Sequence, residues 1–472
     1  MLTLLDILPA MPFVRRLDSM PDPERAFVHM YGASSNAFWL DSSAGGARGR
    51  FSFMGDSQGP LAAVVTYDVG AGEVRIERSR GVEVRAESIF DYLGRELERL
   101  RPLTAQLPLF DCGFAGYLGY ELKAECDGAP AHGATTPDAA FVLADRLLAF
   151  DHAEETTYLL SLTEADPWVE ETAGRLATLA PLYDPAAEAA PPALVPRRSR
   201  QRYRSDIDAC KRYLTAGHSY EICLTNTLEA ESGAEPLELY RALRRANPAP
   251  FSAFLRFGDL AVLSSSPERF LAVDRDGNAE TRPIKGTSRR AATPAEDASL
   301  AAALRDGEKS QAENVTIVDL MRNDLGRVCR VGSVEVPELM RVETYETVHQ
   351  LVSSVRGQLR PELGSVDCVR ACFPPGSMTG APKRRTMEII DELEAAARGV
   401  YSGAIGWFGA GGACDLSVAI RTIVIEAGKA TIGAGGAIVV DSDPEQELEE
   451  MLLKAQASIS AFEYRSPALA RT

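Results

Sequence analysis

The 472-residue chain has 45% hydrophobic and 25% charged residues, an ordinary globular balance that excludes disordered, collagen-like and coiled-coil classes. That length is enough for a large core or two domains. A net charge of −17 argues against a nucleic-acid role, and it means that an anionic substrate must be met by locally concentrated basic groups or by a metal ion.

Met1 to Arg15 has apolar residues but no basic start followed by a long apolar core, so no signal peptide is expected. No run of eighteen apolar residues is present to span a membrane. Eight cysteines and five histidines form no CxxC pair and suggest neither a disulfide framework nor a Cys/His zinc site. A reducing, cytoplasmic setting is the expectation. In chain order, Leu61–Tyr67 and Thr157–Leu162 read as strands between Gly-rich and charged turns. Pro181 to Pro196 is rich in Pro and Ala, lacks hydrophobic periodicity, and reads as a linker over 181–200 between an N-terminal region (1–180) and a second region (201–465). A helix signal at Ser205–Ala216 leads into a strand at Tyr220–Leu228. Two hairpins turn at Gly258-Asp259 and Asp276-Gly277, and the return strand of the second delivers Lys285. Helical patterns cover Gly307–Arg322 and Met387–Ala396. A β-meander follows from Tyr401 to Val440, with Ser417–Ile425 as one of its strands. Asp443-Pro444 then opens a last helix with Asp as N-cap. The pattern is α+β with antiparallel β-sheets rather than a doubly wound fold.

Several groups could carry chemistry. Pro283-Ile284-Lys285-Gly286-Thr287 sets a lysine in a turn whose glycine and threonine can offer N–H and hydroxyl groups to an anion. A surface lysine in a Pro/Gly turn is the plain alternative. On the last helix, Glu447, Glu450 and Lys454 share one face. Those glutamates make either a solvated first turn or, with Glu313 from the earlier helix, a Mg²⁺ site. Arg421, set among apolar residues, is either paired structurally or reaches a ligand carboxylate. Gly435, Gly436 and Ala437 can present bare backbone amides or form a plain turn. His349 is structural or catalytic.

Together these segments resemble the chorismate-utilising enzymes over about Tyr220 to Lys454. The matching text includes Ser266-Pro267-Glu268-Arg269-Phe270, the lysine turn, Ile317–Val328, Phe373–Glu388, Tyr401–Gly406, Ile420–Thr422 and the final DPxxExxE. Before residue 180 the resemblance is weaker, through Phe38–Ser43 and Gly116–Lys123. It implies a sandwich of antiparallel sheets with flanking helices. It also implies Mg²⁺ on Glu313, Glu447 and Glu450, the substrate's carboxylates held by Arg421, Tyr401 and the amides of Gly435, Gly436 and Ala437, and further substrate contacts from Gly286, Thr287 and Lys454. Many relatives have glycine where this chain has Ala437, a change that an amide contact survives.

Within the family, members that add water, or that make anthranilate, typically carry alanine at the position of Lys285. Members that aminate chorismate at C4 carry lysine. Those that add water also use a lysine base where this chain has Glu221. The resemblance therefore implies C4 amination, with Lys285 attacking C2, Glu268 as general acid/base and His349 assisting. The alternatives are an anthranilate-forming enzyme and a non-catalytic chorismate- or tryptophan-binding subunit. No cysteine sits in a Gly-x-Cys-x-Gly elbow, so ammonia is expected from a separate glutaminase subunit. Ser42, Arg50, Phe51, Ser52, Pro250, Phe251 and Ser252 loosely match the tryptophan pocket of relatives, and an ordinary packed interface is the alternative there.

Overall fold

Two antiparallel sheets, each of twelve strands among the described residues, carry the fold, and each draws strands from both ends of the chain. The computed structural model describes residues 13–42, 49–101, 110–163, 166–183, 192–345 and 348–464. In the first sheet the early strand Asn36–Asp41 pairs with the late strand Phe251–Phe257, Asp41 opposite Ser252. In the second, Gly113–Leu118 pairs with Ala404–Gly409. The two regions on either side of the expected linker therefore share both sheets. Of that linker, 184–191 lies outside the described residues. Beyond it, Val195–Pro196 pairs with Leu228 and Glu229, and a helix begins at Arg200.

The period-2 alternation of the strands divides the core. Phe38 and Leu40 join Phe114, Phe141 and Leu416 in a cluster between the sheets. Ala37 and Trp39 face the other way, into a second cluster shared with the helices Pro23–Tyr31, Arg200–Thr215, Pro236–Ala246 and Pro444–Glu463. The α+β sandwich with flanking helices is thus the observed architecture.

Two segments cross from one sheet to the other, and their corners matter for the site. Leu260–Ser266 belongs to the first sheet and Arg269–Val273 to the second, with Pro267 and Glu268 at the bend. Cys414–Val418 belongs to the second and Thr422–Glu426 to the first. The expected continuous strand Ser417–Ile425 is therefore broken, and Arg421 stands at the break with φ +52°. A chain that changes sheets must turn sharply, and apolar residues on both flanks hide the bend from any alternation pattern. The corners are tied together. Val418 N–H donates to Glu268 O (3.0 Å), Ser265 N–H to Arg421 O (3.1 Å) and the Ser266 hydroxyl to Val418 O (2.7 Å).

The other expected elements stand with shifted ends. The helix foreseen over Gly307–Arg322 runs Glu308–Gly326, and the one foreseen over Met387–Ala396 runs Lys383–Glu394 and stops at left-handed Ala395. Asp443 caps the last helix by accepting from Glu445 N–H (3.1 Å) and Gln446 N–H (2.9 Å). Pro283 separates Asn278–Arg282 from Ile284–Arg289, and the register slips between Ile284 and Thr287. Gly286 fits that bulge because its φ is +92° and a Cβ there would meet Leu304 Cδ1 at 2.9 Å.

Candidate active site

The hairpin, the two corners and the two long helices bring Lys285, Glu268, Glu313 and Lys454 into one electrostatic neighbourhood with Glu221. Lys285 is 8% exposed, and its Nζ donates to Glu221 Oε1 at 2.9 Å. Glu221 opens the strand Glu221–Glu231, where Glu221, Cys223 and Thr225 share one face by strand alternation. The second oxygen of Glu221 has no hydrogen-bond partner. Burial alone would depress the Lys285 ammonium, but the charges of Glu221 and Glu313 outweigh it and hold its pKa above the ordinary lysine value. Lys285 is thus charged at rest.

Glu268 is buried at the neighbouring corner, and its Oε1 also lacks a partner. Burial pushes its carboxyl up to about 7, against the pull of the Ser377 hydroxyl, the Lys285 charge, the Ile284 N–H and Lys454. A carboxyl balanced there can give or take a proton near neutrality. The Ser377 hydroxyl makes no full hydrogen bond. Asn314, beside Glu313, is fully buried; its Oδ1 accepts from Ser353 (2.6 Å) while its Nδ2 is unpartnered. Native interiors leave few polar atoms in this condition, and four of them belong to residues set around this lysine or beside its charged neighbours.

Among the described residues, no ion pair or side-chain hydrogen bond engages Arg421. Burial lowers its pKa, while Tyr401 and Glu450 pull the other way. An uncommitted, half-buried guanidinium is suited to a carboxylate. The Tyr401 ring lies directly on Gly433, where a Cβ would fall 2.2 Å from its Cγ. On the same strand Ala437 pairs with Cys223, and Lys454 Nζ donates to Gly435 O (3.1 Å) and pairs with Glu450 (2.6 Å). A Cβ at Gly436 would lie 3.2 Å from Glu447 Oε2. Glu447 Oε1 accepts from the Ser442 hydroxyl (2.7 Å).

Glu313, Glu447 and Glu450 offer only oxygen donors, the chemistry that a hard divalent cation prefers. As they stand, however, no three carboxylate, histidine or cysteine side chains among the described residues are gathered closely enough to hold an ion.

His349 is placed differently. Opposite Ser288 in the sheet, it bonds Thr344 Oγ1 (2.9 Å) through one ring nitrogen and Asp297 Oδ1 (3.0 Å) through the other. Both nitrogens are engaged away from the Lys285–Glu221 pair. A separate cavity of about 410 Å³ is lined by Ser42, Arg50, Phe51, Pro250, Phe251 and Ser252, at the positions matched to a tryptophan pocket. Ser52 stands behind its wall, held by Asp41 and His152, and Ser43 is outside the described residues.

Residues 56–460 match the family described as chorismate binding enzyme. This chain belongs to that family. It is 48% identical over 467 residues to an aminodeoxychorismate synthase of Streptomyces pristinaespiralis, covering 95% of this chain and 65% of that protein. It is 51% identical over 447 residues to another of Streptomyces griseus, covering 92% and 62%. The chain thus spans less than two thirds of either relative. Anthranilate synthase component I of Streptococcus pneumoniae TIGR4 has the same fold, with a TM-score of 0.75 and 30% identity over 87% of this chain and 92% of that one.

Sequence reasoning missed the Glu221 partnership with Lys285, and it missed Ser377 and Asn314 altogether. A carboxylate opening the strand Glu221–Glu231, ahead of the apolar Ile222 and Leu224, was the available signal for the first. Ser and Asn inside apolar segments carry no comparable mark.

Proposed function

We propose that this chain aminates chorismate at C4 with ammonia, giving 4-amino-4-deoxychorismate through a covalent link to Lys285. The observation that carries this reading is a buried lysine with two acids beside it, Glu221 and Glu268, of which one is balanced near neutrality. The similarity to aminodeoxychorismate synthases supports the same product.

Arg421 and Tyr401 bind carboxylates of the substrate, with the amides of Gly435–Ala437 and with Lys454, Gly286 and Thr287 completing the cradle. Lys285 bonds to C2 as the C4 hydroxyl departs, and ammonia then bonds to C4 and releases the lysine. Glu268 protonates the departing hydroxyl and accepts the surplus proton of the incoming amine. His349 braces the strand Ile284–Arg289 through Asp297 and Thr344 rather than meeting the ring. Glu313, Glu447 and Glu450 would hold Mg²⁺, which when bound neutralises a substrate carboxylate.

Ammonia is supplied by a glutaminase, and none of the eight cysteines of this chain lies in a Gly-x-Cys-x-Gly elbow. Its setting is the cytoplasm, and among the described residues no helix is long and apolar enough to cross a membrane. The product feeds 4-aminobenzoate for folate or a specialised pathway, and tryptophan is the ligand that the 410 Å³ cavity fits by resemblance. The deciding experiment incubates the chain with chorismate, Mg²⁺ and ammonium salt and identifies the product by mass and by its behaviour with an added lyase. Anthranilate with pyruvate would replace this reading by the anthranilate-forming one, and absence of turnover would favour a binding subunit.

A further inference from the structure

A charged Lys285 has no lone pair, so it must lose a proton before its nitrogen can bond to carbon. The titratable groups facing it are Glu221, Glu313, Cys223 and Glu268. Of these, Glu221 accepts a hydrogen bond from Nζ at 2.9 Å, and Glu313 is assigned to the metal in the reading above. Burial raises the Cys223 thiol, which therefore stays a neutral thiol and is a poor acceptor. Glu268 is engaged at the C4 hydroxyl in the reading above. Little water reaches Lys285 at 8% exposure.

Glu221 is also fixed in place. Its backbone oxygen accepts from the Ser219 hydroxyl (2.8 Å), the preceding N–H of Tyr220 donates to Ala381 O (2.7 Å), and Gly380 packs so closely that a Cβ there would lie 1.9 Å from Glu221 O. Because its Oε2 has no partner, a proton added there breaks no hydrogen bond.

We propose that Glu221 is a catalytic base that takes the proton of Lys285 as Nζ bonds to C2, and that it returns this proton when the lysine leaves. The inference rests on the amination reading. In the first step the proton moves from Nζ to Glu221, the Nζ–C2 bond forms, the ring double bonds shift and the C4–O bond breaks. The hydroxyl takes a proton from Glu268 and leaves as water. In the second step the ammonia nitrogen bonds to C4 and the Nζ–C2 bond breaks. Glu268 recovers a proton from the new amine, and Glu221 gives its proton back to Lys285, so the net change is chorismate plus ammonia to aminated product plus water.

The test compares wild type, Glu221→Gln and Glu221→Asp by C4-aminated product formed across pH at fixed free ammonia. Glu221→Gln is expected to lose about 10²–10⁴-fold in kcat near neutrality, the usual contribution of a proton-transfer group, with little change in KM for chorismate. Its deficit should shrink as pH rises, because a larger fraction of Lys285 is then already deprotonated. Glu221→Asp keeps a carboxylate and should recover most of the rate, and it carries the test should the glutamine variant fold poorly. Wild-type rates in Glu221→Gln, or an equal loss at every pH with aspartate no better than glutamine, would overturn the assignment of Glu221 alone. No C4-aminated product from wild type would overturn the amination reading and this one with it.

Discussion

Arg398 and Glu394 form a two-point pair beside the candidate site, Nη2 to Oε1 and Nε to Oε2, each at 2.8 Å. Arg398 also donates to Met378 O, Cys223 O and Ser402 Oγ and lies 4.3 Å over the Tyr120 ring. Glu394 accepts from Thr225 N–H (2.8 Å). One pair therefore joins the strand of Glu221, the turn of Ser377 and the segment of Tyr401. Breaking a buried pair leaves its partner's charge uncompensated, at a cost of about 3–5 kcal/mol. Arg398→Ala should lose stability on that scale in chemical denaturation and should lower turnover as the site loosens. Wild-type stability would show that the hub is dispensable.

Glu268 should trade stability for activity. Its carboxyl is raised from 4.5 to about 7, so the folded protein holds this proton more tightly than the unfolded chain does. Stability from this group is full below about 4.5 and is lost as pH rises to about 7, at about 1.4 kcal/mol per unit. Glu268→Gln removes that loss. It should be more stable than wild type at pH 8 and equal or less stable at pH 4, while turnover falls about 10²–10⁴-fold. Parallel stability curves for the two proteins over this range would refute the raised carboxyl.

The parts of the site that were legible in the sequence carry local chemical punctuation. Pro283 and Gly286 mark the lysine turn, and Asp443-Pro444 marks the start of the acidic helix. What stayed hidden depends on long-range pairing. Glu221 and Lys285 are 64 residues apart and meet only because strands of different sheets converge. The sheet-changing bend at Arg421 leaves no trace because apolar residues continue on both sides of it. The sharing of both sheets by early and late strands is equally silent, since the alternation in Asn36–Asp41 says which face is buried but not which strand lies alongside.

The metal reading makes its own demand. Glu450 is paired with Lys454 at 2.6 Å through one of its two oxygens. Glu450→Gln should abolish Mg²⁺-dependent turnover while leaving thermal unfolding near wild type, because a surface ion pair contributes only about 0–1 kcal/mol. Full activity at ordinary Mg²⁺ would remove Glu450 from the ligand set.

Nitrogen supply offers a further test. With glutamine as the sole donor the isolated chain should make no aminated product, and ammonium salt or an added glutaminase subunit should restore it. Glutamine-dependent turnover by the pure chain would show a glutaminase activity that its cysteines do not suggest.

Lys285→Ala bears most directly on the choice of product. The substitution removes the nitrogen that would bond to C2, and it leaves Glu221 buried without its cation. Uncompensated charge at that depth costs about 3–5 kcal/mol, so the variant should also melt earlier than wild type. Lys285→Ala combined with Glu221→Gln removes the stranded charge and should recover part of that stability without recovering activity, which keeps the chemical loss distinct from unfolding. Both variants are expected to lose the C4-aminated product and to show at most slow, ammonia-independent or misdirected chemistry at C2. Wild-type protein quenched during turnover should gain the mass of a substrate-derived adduct on the peptide containing Lys285, and neither variant should. If Lys285→Ala makes the C4-aminated product at the wild-type rate, the lysine is not the nucleophile, and the buried pair with Glu221 has only a structural role.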